Sequence, residues 1–328
     1  MCLINLFKES PVRRFTVPNG NVKEVDMDFL SEVKNIVGDC VLTDEKMNKH
    51  TTFKVGGPAK YLAAPTLAVQ VQKLTALCKD TGMPCYVVGN GSNLLVSDSG
   101  FEGMIILIGQ GMSDIRVNGN EITAQAGVLL PKLSMRAAEA GLGGLEFAAG
   151  IPGSVGGACV MNAGAYGGEL KDVLTRVRAL TPDGELRDFK PEELELGYRH
   201  SIFINGGYVV LEAAFGLKPG NPAEINARIG ELAAKRREKQ PLEYPSAGST
   251  FKRPEGFFAG KLIEEAGLKG RGIGGACVSE KHAGFVINKG GASARDIYDT
   301  IRLVINEVEA KHGIVLEPEV RIIGDFCD

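Results

Sequence analysis

The 328-residue chain lacks the features that mark several classes of protein. It has no run of about 18 apolar residues, the length that a membrane-spanning helix needs. Its first residues carry interleaved charges and no apolar core of the signal-peptide type. The formal net charge is -3, and no block of like charges occurs, which argues against a nucleic-acid partner and a basic membrane-binding patch. We therefore expect a cytoplasmic protein, and nothing in the sequence implies a protein partner.

Cysteine and histidine are both sparse and unpatterned. The 7 cysteines are odd in number and include no Cys-x-x-Cys pair, which is typical of reduced thiols rather than of a disulfide framework. The 4 histidines are scattered, without the His-Glu-x-x-His spacing of a zinc enzyme. No metal site is predicted.

Glycine, in contrast, is abundant at 43 residues, and no periodic repeat explains the excess. Two stretches concentrate it, residues 89–98 (GNGSNLLVSD) and 145–168 (LEFAAGIPGSVGGACVMNAGAYGG). Backbone N–H groups that no side chain shields can surround a phosphate or pyrophosphate. The alternative for the first stretch is a tight turn held by Asn and Ser side chains. Two such stretches in one chain favour a dinucleotide held by loops from two subdomains.

Two further glycine patterns are weaker candidates. Residues 270–275 match G-x-G-x-x-G, but they follow a predicted helix and lead into an extended segment, the reverse of a dinucleotide-binding fingerprint. We interpret them as a turn. Residues 152–156 approach the G-x-S-x-G pattern of a hydrolase, but Pro152 replaces the first glycine. Ser154 is therefore interpreted as a residue that shapes the loop and can bond a phosphate.

Periodicity predicts an α+β protein. Helices are expected at 28–37, 67–81, 130–140, 222–239, 260–266 and 294–312. Strands are expected as a pair within 51–65 and at 84–89, 104–107, 121–126, 174–181, 185–189, 207–215, 285–288 and 320–323. The Gly- and Pro-rich segment 216–221 predicts a boundary between a nucleotide-binding part and a smaller α/β part.

Five stretches of the sequence resemble the signature stretches of the UDP-N-acetylenolpyruvoylglucosamine reductase family. They are GNGSNLLVSDSGFEG, GLEFAAGIPGSVGGACVMNAGAYG, YRHSIF, YPSAGSTFKRPEG and LEPEVRIIG, and they occur in the family's order between about Thr51 and Gly324. The resemblance implies a flavoenzyme of peptidoglycan precursor synthesis, with noncovalent FAD, NADPH as reductant and a UDP-sugar substrate.

The resemblance also implies a fold. It is a two-subdomain FAD-binding fold of the vanillyl-alcohol-oxidase and cresol-methylhydroxylase type, followed by a smaller α/β substrate domain. In this chain we expect the FAD-binding domain at 1–217, with an N-terminal extension and subdomains at about 40–125 and 126–217. The substrate-binding domain, with a C-terminal catalytic strand, is then expected at 218–328.

Three catalytic residues follow from matching the family's motifs. Arg199 matches the catalytic arginine, whose guanidinium suits a carboxylate that gains charge. Ser249 matches the proton donor. Glu319 matches the glutamate near the C-terminus, whereas Glu317, two residues away, has no assigned role. The alternatives are a surface arginine and a loop-capping serine.

The binding residues are assigned with the same resemblance. The expected cofactor-binding residues lie in the two glycine-rich stretches: Val88, Gly89, Asn90, Gly91, Ser92, Asn93, Leu94, Ala149, Gly150, Ile151, Pro152, Gly153, Ser154, Gly156, Gly157 and Ala158. The expected substrate-binding residues are Tyr198, Lys239, Arg253 and Lys261, and solvated cations are the alternative for the last three. His50 stands where the family commonly has asparagine, and no role is assigned to it.

The segment 207–239 has little spare length, so the chain resembles the family's shorter type, without the extra tyrosine-bearing loop.

Two other functions remain open from the sequence. The same flavin fold serves FAD-dependent alcohol oxidases, in which FAD is often attached through His or Cys, and Cys159 lies in the second glycine-rich stretch. The second alternative function is a module that binds a UDP-sugar without flavin.

Overall fold

The computed structural model describes residues 22–327, with side chains from residue 28 onward. Residues 1–21 of the expected N-terminal extension lie outside the described residues. Within the described range there are seven α-helices: α1 (Val22–Val37), α2 (Ala68–Thr81), α3 (Leu130–Glu139), α4 (Val155–Met161), α5 (Pro222–Lys239), α6 (Ala259–Glu265) and α7 (Ala294–His312). None of these helices combines the length and apolar character that crossing a bilayer requires.

The same residues form seventeen strands, several of them very short. They are β1 (Val41–Lys46), β2 (Pro58–Ala63), β3 (Cys85–Val88), β4 (Leu94–Val96), β5 (Phe101–Leu107), β6 (Ile115–Asn118), β7 (Glu121–Gln125), β8 (Leu142–Gly143), β9 (Gly164–Ala165), β10 (Gly168–Glu169), β11 (Leu174–Leu180), β12 (Leu186–Phe189), β13 (Val209–Gly216), β14 (Lys218–Pro219), β15 (Ala276–Val278), β16 (Val286–Asn288) and β17 (Arg321–Ile323).

The first sheet has the order β1-β2-β5-β3 and carries the first glycine-rich stretch at its end. Strands β2, β5 and β3 run parallel, whereas β1 is antiparallel at the edge. Helix α2 covers this sheet because its buried residues Val71, Leu74 and Cys78 recur at helical spacing. It ends at Gly82, whose left-handed conformation closes the last turn. The glycine-rich loop starts directly after the buried Val88.

The second sheet is antiparallel, in the order β12-β11-β13-β7-β6, and carries the second glycine-rich stretch. Helices α3 and α4 share its apolar core, which is continuous with the core under α2. Helix α4 begins within the glycine-rich stretch and packs on β13 and β7. The two stretches therefore come from two neighbouring sheets.

The C-terminal part packs around α7 and returns to the first sheet. Ile297, Ile301 and Val304 of α7 share a buried cluster with Phe53 and Leu95, which belong to the first part of the chain. Strand β17 pairs in parallel with β4. Helix α5, which follows the expected boundary at 216–221, packs on the 3₁₀ turn Glu146–Gly150 and on α3. The domain limits stay a prediction.

Most predicted elements are confirmed, including all six predicted helices, and α1 extends further toward the N-terminus. The strand pair within 51–65 is wrong: only β2 forms there, and it pairs with β1 on one side and β5 on the other. The polar residues of β1 gave no alternating signal, because this edge strand is largely exposed. Helix α4 was missed because glycines inside it disfavour a helix. A Cβ on Gly156 would lie 3.0 Å from the Ala126 side chain. Close packing of the helix therefore favours glycine at this position despite its low helix propensity.

The turn prediction for 270–275 is confirmed. It follows α6 and leads into β15, and its glycines are required by packing rather than by a ligand. A Cβ on Gly272 would lie 2.0 Å from the carbonyl oxygen of Ala276, and one on Gly274 would lie 2.3 Å from the carboxylate of Asp296.

We predict that Asp98→Ala lowers the free energy of unfolding by about 1–2 kcal/mol. The Asp98 carboxylate accepts hydrogen bonds of 2.8 Å from the N–H groups of Ala294 and Arg295, the first two residues of α7. It thereby joins the first sheet to the C-terminal part. Urea denaturation measures the effect, and Asp80→Ala, at the opposite end of a helix, is the control. Equal stabilities for both variants would contradict the prediction.

Candidate active site

The two glycine-rich stretches contact each other. The side-chain amide of Asn90 donates to the carbonyl of Pro152 at 2.5 Å. Gly89 lies so close to Ser154 that a Cβ on Gly89 would be 2.1 Å from the serine Oγ. Ser154 caps α4, where its Oγ accepts from the N–H of Gly157. The stretches thus form one surface of bare backbone, short side chains and a helix N-terminus.

This surface fits a dinucleotide pyrophosphate at some of the predicted residues and not at others. A Cβ on Gly153 would lie in the gap between the stretches, with its nearest neighbours Ser92 Oγ at 3.7 Å and Ile151 Cγ2 at 3.9 Å. Gly153 therefore faces a cradle that a side chain would fill. Gly156, in contrast, packs on Ala126, and its N–H donates to the Ala126 carbonyl at 2.9 Å. Its glycine is explained by close packing of α4 on β7.

Arg199 and Glu319, 120 positions apart, form a direct ion pair. Arg199 Nε donates to Glu319 Oε1 at 2.6 Å, and only 21% and 12% of the two side chains are exposed. Burial raises the pKa of Glu319 above its ordinary value, and the charges of Arg199 and Lys252 oppose this shift. The second oxygen, Oε2, is buried without a hydrogen-bond partner among the described residues. It is an acceptor, or a donor when protonated, that a ligand can satisfy.

The second glycine-rich stretch also positions Arg199. Asn162, in a left-handed conformation at the end of α4, donates to the carbonyl of Gly197 at 3.0 Å. Ser201 Oγ donates to the carbonyl of Val160 in the same helix at 2.7 Å. Arg199 itself has a left-handed φ of 51°, an uncommon conformation for a residue with a side chain. The segment is therefore anchored on both sides of the arginine, which holds this conformation.

Glu319 and Ser249 are held together by backbone hydrogen bonds. The N–H of Glu319 donates to the carbonyl of Thr250 at 2.8 Å. The Glu319 carbonyl accepts from the Asn93 side chain at 3.0 Å, so the first glycine-rich stretch directly contacts the segment that leads into β17. Thr250 is buried, and its Oγ1 accepts from the N–H of Val286. Ser249, next to it, is exposed to the same cavity that Glu319 faces.

A cavity of about 380 Å³ brings the three predicted catalytic residues together. Three of the four predicted substrate-binding residues, Tyr198, Arg253 and Lys261, also line it, whereas Lys239 does not. The Tyr198 hydroxyl accepts from the Arg253 N–H at 3.2 Å. Sequence reasoning missed other lining residues: Phe251, Phe258, Glu264, Lys269, Lys281 and His282. Burial lowers the pKa of His282.

Glu317 is placed differently from Glu319. Its side chain is 60% exposed and forms an ion pair with Lys252. The two carboxylates are separated by Pro318, which forms an isolated bridge with Phe251. His50, to which the sequence gave no role, bonds Glu45 through Nε2 at 3.0 Å, and its carbonyl lies against Gly91.

Comparison with known proteins shows the family of this chain. A model of the C-terminal domain of UDP-N-acetylenolpyruvoylglucosamine reductase matches residues 240–323, and an FAD binding domain model matches residues 59–190. A reductase of that name from Agathobacter rectalis is 56% identical over 87% of this chain and 95% of its own length. One from Clostridium beijerinckii is 52% identical over 91% of this chain and 100% of its own length. The chain belongs to the UDP-N-acetylenolpyruvoylglucosamine reductase family.

A solved structure gives the same result for the fold. UDP-N-acetylenolpyruvylglucosamine reductase from Thermus caldophilus superposes with a TM-score of 0.74, at 38% identity, and covers 85% of this chain and 98% of its own. The fold is the expected two-subdomain FAD-binding fold with mixed α and β content, and FAD is the cofactor.

We predict that Gly153→Leu yields folded protein that no longer retains FAD. The leucine side chain would occupy the gap beside Ser92, and Gly153 has a backbone conformation that other residues adopt. Flavin absorbance per chain measures retention, and circular dichroism checks the fold. Gly230→Leu is the control, because a Cβ on Gly230 would meet open space. Gly167→Leu would not serve, because the φ of 88° at Gly167 strains any side chain. Full retention of FAD by Gly153→Leu would show that the gap is not the cofactor's path.

The raised pKa of Glu319 predicts a pH-dependent stability. A carboxyl whose pKa is higher in the folded state stabilises that state fully below its unfolded pKa, and the contribution is lost as the pH rises through the folded pKa. The melting temperature of Glu319→Gln minus that of the wild type should therefore increase between about pH 4 and about pH 8. Glu317→Gln is the exposed control. A difference that stays constant, or falls, would mean that the attraction of Arg199 outweighs burial.

Proposed function

We propose that this chain reduces the enolpyruvyl double bond of UDP-N-acetylglucosamine enolpyruvate to give UDP-N-acetylmuramate, with FAD as cofactor and NADPH as reductant. The observation that carries the proposal is the shared cavity: Arg199, Ser249 and Glu319 come from three distant segments and line one space. Family membership supports the same reaction. An FAD-dependent alcohol oxidase is not favoured, because the relatives that match most of the chain are reductases.

The glycine-rich stretches are proposed to hold FAD at the gap beside Gly153. Asn90, Ser92 and the capped start of α4 surround this gap with short polar groups and backbone. When bound there and reduced by NADPH, FAD would supply the hydride for the terminal carbon of the enolpyruvyl group. Cys159 is fully enclosed by protein, and burial raises the pKa of its thiol to about 12, which disfavours a thiolate that could attach to flavin. Noncovalent FAD is therefore expected.

The protein must then stabilise negative charge at the substrate carboxylate and deliver a proton to the neighbouring carbon. Arg199 donates to the Glu319 carboxylate through Nε. Its two terminal nitrogens form no ion pair with the described residues, so they can bind the substrate carboxylate. Ser249 lines the cavity and is exposed, and its hydroxyl is the proposed proton donor. Glu319, with its raised pKa and unpartnered Oε2, is proposed to share a hydrogen bond or proton with the developing enol.

The UDP portion of the substrate is proposed to meet the cationic side of the cavity. Arg253, Lys261, Lys269 and Lys281 line the cavity; the three lysines pair with Glu265, Glu264 and Glu243, respectively, whereas the Arg253 guanidinium lies over the ring of Phe258. On this proposal the chain acts in peptidoglycan precursor synthesis in the cytoplasm and thereby contributes to cell shape and division. The six cysteines of the described residues form no disulfide, which agrees with a reducing compartment.

We predict that Ser249→Ala retains FAD and its reduction by NADPH but loses about 10²–10⁴-fold in the rate of flavin reoxidation by substrate. The change removes one hydroxyl on the cavity surface and no charge. Ser249→Cys should recover part of the rate, because a thiol is also an acid and is similar in size. Rapid mixing separates the two half-reactions.

Ser246→Ala is the matched control, since Ser246 lies three residues earlier in the same segment and does not line the cavity. Its rates should remain close to those of the wild type. If Ser249→Ala reoxidises at the wild-type rate and only its melting temperature falls slightly, Ser249 is a loop-capping residue and the assignment must be abandoned.

A further inference from the structure

Two cysteines lie next to each other where the chain returns from α2 to the first sheet. Cys78 belongs to the last turn of α2 and is buried, whereas Cys85 is the first residue of β3 and is exposed. The two thiols are in hydrogen-bonding contact. Neither belongs to the glycine-rich stretches or lines the cavity that contains Ser249, so the proposed reaction does not account for the pair.

The backbone around the two thiols holds them in this contact. Gly82 ends α2 in a left-handed conformation. The carbonyl of Pro84 accepts from the N–H of Met104 in β5 at 2.8 Å, and a Cβ on Gly103 would lie 2.4 Å from the same carbonyl oxygen. Residues 79–84 are therefore a short connection fixed against the sheet. Thiols in contact across it meet the first requirement of a disulfide, that the two side chains point at each other.

The two thiols differ in the way that a reactive pair requires. The hydrogen bond with Cys85 and burial raise the pKa of the Cys78 thiol, so Cys78 keeps its proton and donates it to the Cys85 sulfur. The thiolate is the reactive form of cysteine, and a donated hydrogen bond favours it. Because Cys85 is exposed, its sulfur is the one that an oxidant reaches first, with Cys78 directly behind it.

Cys40 is also exposed, but it cannot take the place of Cys78. It directly precedes β1, at one edge of the first sheet, whereas Cys85 begins β3, at the other edge. Three strand spacings, about 14 Å, separate the two edges. A disulfide joins residues whose Cα atoms are less than about 7 Å apart. The arrangement therefore selects Cys78 as the partner of Cys85.

We propose that Cys78 and Cys85 form a modification site, at which hydrogen peroxide converts the two thiols into a reversible disulfide between α2 and β3. The Cys85 sulfur attacks one peroxide oxygen and the O–O bond breaks, which gives a sulfenic acid on Cys85 and one water. The Cys78 sulfur then attacks the Cys85 sulfur, and the S–O bond breaks as hydroxide leaves with the Cys78 proton as a second water. Each sulfur loses one electron, and the peroxide gains two. The inference does not depend on the proposed reduction of the UDP-sugar.

The test treats the FAD-loaded chain with one equivalent of hydrogen peroxide, alkylates the remaining thiols and digests the protein with trypsin. Cleavage after Lys73, Lys79 and Arg116 places the two cysteines in separate peptides, residues 74–79 and 80–116. A disulfide therefore joins these peptides, and mass spectrometry detects the product. We expect this linked pair, its disappearance after dithiothreitol, and its formation about tenfold faster than the oxidation of Cys40.

Two variants make the assignment specific. Cys85→Ser should abolish the linked pair and leave Cys78 open to alkylation only after unfolding. Cys40→Ser is the matched control, because it removes an exposed thiol at the same sheet, and the linked pair should then form at the wild-type rate. If Cys85 is oxidised to a sulfinic acid while Cys78 stays a free thiol, or reacts no faster than Cys40, the proposal is overturned.

The melting temperature gives a second readout. A disulfide restricts the unfolded chain, so the oxidised wild type should melt about 2–5 °C above the reduced wild type. Peroxide should leave the melting temperature of Cys85→Ser unchanged. A linked protein that melts below the reduced one would show that the bond forces α2 and β3 out of their packing, which would contradict a pair placed to form it.

Discussion

The parallel pairing of β17 with β4 is the constraint on which the site depends. It brings the last strand of the chain to the end of the first glycine-rich stretch, where Asn93 bonds the carbonyl of Glu319. The same segment bonds Thr250 on its other side. Strand β17 and the residues directly before it thus fix the distance between the cofactor stretch, the proposed proton donor and the glutamate. A site assembled from regular backbone pairing is more rigid than one carried by loops alone.

Charge is distributed unevenly around this frame. Glu319 is buried beside Arg199, and the two opposing effects, burial and attraction, leave the pKa of the carboxyl raised. Arg236, in the last turn of α5, is half-buried, and no carboxylate oxygen of the described residues forms an ion pair with it. In both places the protein tolerates an electrostatic cost of the kind that concentrates at functional sites, where a ligand or a reaction step relieves it.

Several glycines that suggested ligand binding are explained by packing. Gly156 lies on β7, Gly89 on Ser154, and Gly150 under Arg236. Only Gly153, among these four, faces open space between the two stretches. The excess of glycine therefore reflects close approach of backbone to protein as much as to cofactor, and the ligand surface is smaller than the glycine-rich stretches themselves.

The sequence by itself determined the long helices, most strands and the two glycine-rich stretches, because apolar periodicity and glycine are local signals. It also pointed to Arg199, Ser249 and Glu319 through motifs, each read within its own stretch. It could not give the edge strand β1, whose partner decides its conformation, or helix α4, whose glycines contradict helix propensity. Nor could it show that Glu319, and not Glu317, faces Arg199, or that Arg236 lies on Gly150. Those facts depend on contacts between residues 86 to 120 positions apart, which only the tertiary structure decides.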